Sequence, residues 1–292
     1  MTSASPLILV TGASGQLGAL VIEALLGHVP VDRIVATARD PVSLVEFAKR
    51  DIAVRQADYT DPRSLDAAFA GVGRVLLVSS NAVGQRVPQH RNVIKAARRA
   101  GVDLLGYTSI LHAHTSTLLL ADEHVATEAL LRESGVPHVL LRNGWYTENY
   151  TGSIAAELTH GAVNGSAGEG KISAAARADY AAAAAAVLAS DAPQAGQVYE
   201  LAGDTAFTMA EYAAEVTQQS GKPVVYHDMP EAEYAAELVQ IGLPAGLAQM
   251  LAQCSAASRG GDLFDDSHSL SRLIGRPTTP LRDAVAAALA AL

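Results

Sequence analysis

Three groups of residues in this 292-residue chain have types and spacings that could do chemistry. The first is Thr11-Gly12-Ala13-Ser14-Gly15-Gln16-Leu17-Gly18, which follows the apolar run Leu7 to Val10 and leads into an amphipathic helical stretch. Glycines there permit a tight turn and close backbone approach, and a helix start offers unpaired N–H groups, so the segment can cradle a dinucleotide pyrophosphate. The bland alternative is a glycine-rich turn that holds nothing. The second group lies at the ends of the next two strands. Arg39 ends the second strand, where a basic residue accommodates a ribose 2′-phosphate and an acid would hold a 2′-OH, so NADPH is favoured. Asp40 precedes Pro41 and is assigned to capping the next helix instead. Asp58, after the third strand, is a candidate for the adenine amino group, with a turn or capping role as the alternative. The third group is Ser109, after the fifth strand, with His124 and Glu128 four residues apart further on. His124 has the residue type of a general acid, its competing reading being a helix histidine that orders its neighbours.

These residues need a scaffold, and the pattern of the chain supplies one. Short aliphatic runs at Leu7–Val10, Ile34–Ala38, Ala53–Gln56, Val75–Val78, Leu104–Thr108 and His138–Leu141 alternate with stretches of helical period. Continuous apolar strands covered by helices on both faces predict an α/β fold, a Rossmann-type doubly wound parallel sheet. Asp40-Pro41 and Asp61-Pro62 mark helix starts. After Asn143 the pattern loosens into glycine-rich loops around Gly161 to Gly170, an Ala-rich helix from about Asp179, a strand at Val198–Leu201 and helices after Thr208 and Glu231. The expected division is a dinucleotide-binding core over residues 1–143. A smaller C-terminal α/β lobe over 144–292 is interleaved with the remaining Rossmann elements and carries the substrate.

Composition narrows the partners. A net charge of −9 argues against nucleic acid and anionic membrane. The apolar stretches Ala181–Ala189 and Ala284–Leu292 are too short to span a bilayer, and the first ten residues lack the basic flank of a secretory signal, so a cytoplasmic chain is expected. Cys254 is the one cysteine, which removes intrachain disulfides and thiolate zinc clusters. His112-Ala113-His114 lacks an established third ligand, and no metal is expected. No Gly-x-Ser-x-Gly elbow supports a hydrolase. An oligomer is compatible with the sequence.

The glycine turn, together with Arg55-Gln56-Ala57-Asp58-Tyr59, Gly84-Gln85-Arg86, Pro88-Gln89-His90-Arg91-Asn92, Tyr107-Thr108-Ser109, Ala121-Asp122-Glu123-His124 and Leu141-Arg142-Asn143-Gly144-Trp145-Tyr146, resembles the bacterial NAD(P)H:quinone oxidoreductase 2 group. That group belongs to the atypical short-chain dehydrogenases, beside NmrA-like proteins and triphenylmethane dye reductases. The resemblance extends to Leu263–Ser267 and to Arg276-Pro277-Thr278-Thr279. It implies NADPH against Gly12 to Leu17 and Arg39, with Asp58 and Tyr59 on the cofactor side and Ser79 and Ser80 flanking the ribose. It further implies that Asn143, Gly144, Trp145, Tyr146, Thr147 and Glu148 line the nicotinamide and that Arg177 lies nearby. The acceptor it implies is a quinone, reduced without flavin.

Most short-chain dehydrogenases follow the serine with Tyr-x-x-x-Lys, whose tyrosine exchanges a proton with an alcohol. Here the helix reads Asp122-Glu123-His124-Val125-Ala126-Thr127-Glu128, so only Ser109 of that set is present. A ketone reduced by hydride becomes a strongly basic alkoxide that needs an acid. A quinone becomes a weakly basic hydroquinone anion that water can protonate, and a cationic dye needs no proton. Ser109 and His124 are therefore the weak candidates for a catalytic side chain, and direct hydride transfer is expected. Two alternatives stand beside the quinone reductase: an NADP-sensing regulator without turnover, of the NmrA type, and a reductase of triphenylmethane dyes or related xenobiotics.

Overall fold

The computed structural model of the chain describes residues 6–292. Its elements in chain order are β1 (Leu7–Val10), α1 (Gln16–Leu25), β2 (Ile34–Ala38), α2 (Val45–Ala48), β3 (Ala53–Gln56), α3 (Pro62–Ala68), β4 (Val72–Leu77), α4 (Arg86–Ala100), β5 (Leu104–Ile110), α5 (Ala121–Ser134) and β6 (His138–Asn143). There follow α6 (Glu148–Thr151), α7 (Ile154–His160), β7 (Ala162–Gly165), α8 (Arg177–Ala189), β8 (Val198–Leu201), α9 (Met209–Ser220), β9 (Val225–Asp228), α10 (Glu231–Gln240), α11 (Ala245–Ala257), α12 (Ser269–Ile274) and α13 (Leu281–Ala290). The chain divides into two compact units. The first is Met1–Ala113, Asp122–Asn143 and Arg177–Tyr199, of which residues 1–5 lie outside the described residues. The second is His114–Ala121, Gly144–Ala176 and Glu200–Leu292.

One seven-stranded sheet runs in the order β3-β2-β1-β4-β5-β6-β8. The pairs β2–β3, β1–β2, β1–β4, β4–β5 and β5–β6 are parallel. After β3 the chain crosses back over β1 to lay down β4 on its other side, so the strand order reverses between β1 and β4. In open α/β sheets ligands bind at the carboxyl ends of strands beside such a reversal.

Burial explains why the apolar runs are strands: Ile8, Leu9, Val10, Ile34, Val35, Val75, Leu76, Leu105 and Val139 are fully enclosed. Three strands exceed the apolar runs that marked them. β4 begins at Val72 because Arg74, a polar interruption, is satisfied in place by the carbonyls of Leu188 and Ser190 at 2.6 and 2.8 Å. β5 and β6 run two residues further, through Ser109 and Ile110 and through Arg142 and Asn143. The Asp-Pro pairs cap as expected: Asp40 accepts from the Val42 N–H and Asp61 from the Arg63 N–H, each at 3.0 Å. The alanines of α8 have a packing role. Ala181, Ala183, Ala184 and Ala185 are buried, and small side chains let α8 approach α1 and the sheet closely.

In the second unit β7 and β9 form a short parallel pair, Ala162 opposite Val225 and Gly165 opposite Asp228. The stretch from Gly161 to Gly170, expected as loop, therefore contains a strand over Ala162–Gly165; four residues carry too short an apolar pattern to be read alone. α9 starts in a capping box, with Thr208 and Glu211 each bonded to the other's backbone N–H. Tyr150 packs edge-on to Phe207 at 5.9 Å and beside Tyr212 at 5.9 Å. The Tyr212 hydroxyl donates to Glu157 at 2.9 Å, and burial pushes the Glu157 carboxyl up to about 7. Among the described residues no helix is long and apolar enough to cross a membrane.

Candidate dinucleotide site

The turn after β1 is built by three glycines with three different reasons to be glycine. Gly12 has φ of +60°, a conformation that side chains resist. At Gly18 a Cβ would run into the Gly12 carbonyl and the Ala13 Cα, so the return of the helix over the turn requires it. Neither reason applies to Gly15. Its φ is −84°, and a Cβ would meet only the Gly12 carbonyl oxygen, at 3.3 Å. The chain itself nearly tolerates a side chain there, so the fold does not by itself demand glycine at this position. Gly15 caps α1 without any side-chain hydrogen bond, and Ser14, Gly15 and Gln16 are exposed. The first N–H groups of a ten-residue helix thus stay available to an anion.

Around the turn, strand ends are tied together. Thr11 donates both its N–H and its hydroxyl to the Leu76 carbonyl at 3.0 and 2.9 Å, and its Oγ accepts from the Val78 N–H at 3.0 Å. Thr37 Oγ donates to the Val10 carbonyl at 3.1 Å, and Ala13 N–H to Thr37 carbonyl at 2.9 Å. The Tyr59 hydroxyl lies 2.5 Å from Thr11 Oγ and 2.8 Å from the Val78 carbonyl, so it braces the β1–β4 reversal. Arg39 is exposed at the end of β2 and has no ion pair among the described residues. Asp58 accepts from the Thr60 N–H and hydroxyl at 2.8 and 2.7 Å. Those two bonds, with the nearby Arg39 charge, hold its carboxyl below the ordinary range. The turn role weighed for Asp58 is thus present in its side chain.

At the end of β4, Ser79 N–H donates to Thr108 Oγ1 at 2.8 Å and Ser80 N–H to His90 Nε2 at 3.0 Å. At the end of β6 the Asn143 Oδ1 is buried and has no hydrogen-bond partner among the described residues. A buried orphan acceptor is costly, and a carboxamide N–H of a nicotinamide is a donor of the kind it lacks. The open helix start, the redundant glycine and this orphan are the observations that fit these residues to a dinucleotide. Arg177, half-buried, opens α8 in the same unit. In the second unit, Thr147 N–H donates to the Ala175 carbonyl at 3.0 Å and Ala175 N–H to the Trp145 carbonyl at 3.1 Å, which fixes Trp145, Tyr146 and Thr147 against the 172–175 strand-like segment. Gly144 N–H donates to the Leu201 carbonyl at 2.7 Å, and Glu148 opens α6.

Neither candidate for proton transfer is poised for it. Ser109 is buried and its hydroxyl donates to Glu128 Oε1 at 2.7 Å. Glu128 is fully enclosed and receives Arg142 through Nε at 2.9 Å and Nη2 at 2.7 Å, a bidentate pair. This Ser109–Glu128–Arg142 network occupies the place after β5 where a Tyr–Lys pair would act. The sequence showed Glu128 but not its partner, fourteen residues away on another element. His124 lies 2.7 Å through Nδ1 from the Tyr107 hydroxyl, and burial followed by the Arg86 charge pushes its imidazole down to about 3. At neutral pH it is uncharged and cannot act as an imidazolium acid. Among the described residues no three His, Cys, Asp or Glu side chains stand together as metal ligands would.

The NmrA-like family matches residues 4–272 of the chain. Quinone oxidoreductase 2 of Escherichia coli strain K12 is 56% identical over 279 residues, covering 96% of this chain and 97% of that one. The crystal structure of the NADPH-dependent quinone oxidoreductase from Escherichia coli complexed with NADPH superposes with a TM-score of 0.94 at 55% identity, covering 97% of this chain and 100% of that one. The Citrobacter triphenylmethane reductase complexed with NADP(H) gives a TM-score of 0.92 at 37% identity, covering 96% and 99%. The resemblance read from the motifs is borne out, and so is the doubly wound α/β fold.

Proposed function

The chain belongs to the NmrA-like family, and on that premise we propose that it is an NADPH-dependent quinone reductase that moves two electrons as hydride, directly and without flavin. The observation that carries the reading is the end-to-end likeness to a quinone oxidoreductase at 56% identity. NADPH, when bound, supplies the hydride. The α1 start and Gly12 to Gly18 would receive its pyrophosphate, and Arg39 its 2′-phosphate. Asp58 and Tyr59 would neighbour the adenine, Ser79 and Ser80 the ribose, and Asn143 to Glu148 with Arg177 the nicotinamide.

What the chain does not offer supports the choice of acceptor. With Ser109 donating to a carboxylate already paired with Arg142, and His124 uncharged, neither of the two candidate acids stands ready for an alkoxide. Hydride delivered to one quinone carbonyl oxygen forms its O–H bond while the electron pair aromatises the ring, leaving the other oxygen as a hydroquinone monoanion of low basicity. Its second proton comes from water, so the chain's residues need only bind and orient.

Loss of NADPH absorbance against a panel of quinones, with cationic triphenylmethane dyes as a second arm, tests the proposal. Turnover with quinones by a protein lacking flavin absorbance is expected. NADPH binding with oxidation by neither class would overturn it in favour of a sensor.

A further inference from the structure

The segment after β4 is held by one face of α4 in a way the cofactor reading does not by itself require. Ser80 has all its polar groups engaged. Its N–H donates to His90 Nε2 at 3.0 Å, its carbonyl accepts from Arg86 Nε at 2.6 Å, and its hydroxyl donates to Gln89 Oε1 at 2.5 Å. Its hydroxyl oxygen also accepts from the Ala82 N–H at 3.1 Å. Arg86, Gln89 and His90 all come from the first turns of α4, whose start is fixed by Glu123 accepting the Gly84 and Arg86 N–H groups, each at 3.1 Å. Ser79 gives only its N–H, to Thr108, and its hydroxyl has no partner among the described residues.

The hydrogen-bond chain fixes which nitrogen of His90 carries the proton. Thr127 donates its hydroxyl to the Glu123 carbonyl at 2.8 Å, so its oxygen faces His90 Nδ1, 2.9 Å away, as an acceptor. His90 therefore carries its proton on Nδ1 and presents a bare Nε2 to Ser80. The ring is fully buried, edge-on to Tyr107 at 5.4 Å and to Tyr59 at 6.3 Å. Burial, then the neighbouring Arg86 charge, pushes its pKa down to about 3, so this arrangement persists across the physiological range.

We infer that His90 is a positioning residue for the cofactor: its neutral ring, oriented by Thr127 of α5, sets the Ser79–Ser80 segment so that the Ser79 hydroxyl faces the bound NADPH ribose. The inference rests on the assignment of that segment to the ribose in the function proposed above. A histidine present only to fill the core could be replaced by any side chain of its size. A positioning histidine can be replaced only by one that accepts at one end and donates at the other.

The test is NADPH affinity, measured by nicotinamide fluorescence, in the wild type and in His90→Leu, His90→Gln and Thr127→Val, with melting temperatures alongside. His90→Leu keeps volume and removes the acceptor; about tenfold weaker NADPH binding is expected. Glutamine can accept from Ser80 and donate to Thr127, and should return affinity to within about threefold of wild type. The KM for NADPH should rise in His90→Leu more than kcat for quinone falls. Unchanged affinity in His90→Leu, or equal losses in the Leu and Gln variants, overturns the inference. Should His90→Leu fail to fold, Thr127→Val decides, since it removes the group that orients the ring: weaker NADPH binding supports the inference and unchanged binding overturns it. Because the readout is binding, a wild type that binds NADPH but reduces no quinone would sink the proposed reaction and leave this result standing.

Discussion

Replacing Gly15 by Val separates what the fold requires from what the ligand requires. The backbone at Gly15 has φ of −84°, open to any residue, and its Cβ would meet only the Gly12 carbonyl oxygen, at 3.3 Å. The stability change should therefore stay within about 1 kcal/mol, the gain from a less flexible unfolded chain offsetting the tight contact. The isopropyl group would instead fill the space before the exposed N–H groups of α1. Losing two charge-assisted hydrogen bonds there, at about 1.5–3 kcal/mol each, weakens NADPH by at least about a hundredfold. Gly18→Ala is the counterpart. Its Cβ would lie under 3 Å from backbone atoms of Gly12 and Ala13, and such overpacking costs about 1–3 kcal/mol of stability. Calorimetric titration with NADPH and thermal denaturation measure the two effects. Normal NADPH affinity in Gly15→Val would refute the pyrophosphate assignment. A loss of stability equal to that of Gly18→Ala would show that Gly15 is demanded by folding after all.

Arg39→Ala should weaken NADPH by about ten- to a hundredfold and NADH far less, as titration with each will show; equal losses would make Arg39 a surface charge. Ser109→Ala and His124→Ala should each keep quinone turnover within about tenfold, because neither is a proton donor, whereas removing a general acid costs about 10²- to 10⁴-fold. Glu157, raised from 4.5 to about 7, holds in the folded state a proton that the unfolded chain releases. The stability contributed by Glu157 is thus fully present below pH 4.5 and is lost as pH rises through about 7. Glu157→Gln, which still accepts from Tyr212, should abolish that slope and be more stable above pH 7 by on the order of 1–2 kcal/mol once solvent screening is allowed for, measured by denaturant melts across pH.

The central strands of the sheet, β1, β2 and β5, were legible because they are buried on both faces and so read as mostly apolar runs. Where a strand carries a satisfied polar residue, as β4 does at Arg74, the run breaks and the boundary shifts. β7 and β9 were illegible for a different reason: strands of four residues, AVNG and VYHD, are too short to show a periodicity in sequence. The glycine turn and Arg39 could be proposed from the sequence because the chemistry expected of them is local, residue next to residue. The Ser109–Glu128–Arg142 network and the His90–Thr127 link join residues 14 to 37 positions apart, and only the packed helices bring them together. His124 was visible as a candidate acid, but whether its ring carries a charge depends on burial and on Arg86, which no motif encodes.

The buried Glu128–Arg142 pair also bears on how this scaffold could be redesigned. Positions 124 and 128 have the spacing of Tyr-x-x-x-Lys, so two substitutions, His124→Tyr and Glu128→Lys, would write an alcohol-reducing motif into α5. The second would set an ammonium group against the Arg142 guanidinium in a space closed to water, where like charges cannot both be tolerated. Removing one partner of such a pair typically destabilises by about 3–5 kcal/mol, before any repulsion is added. A route from quinones to ketones must therefore change Arg142 together with Glu128, and each single step on that route is a fold defect before it is a new activity.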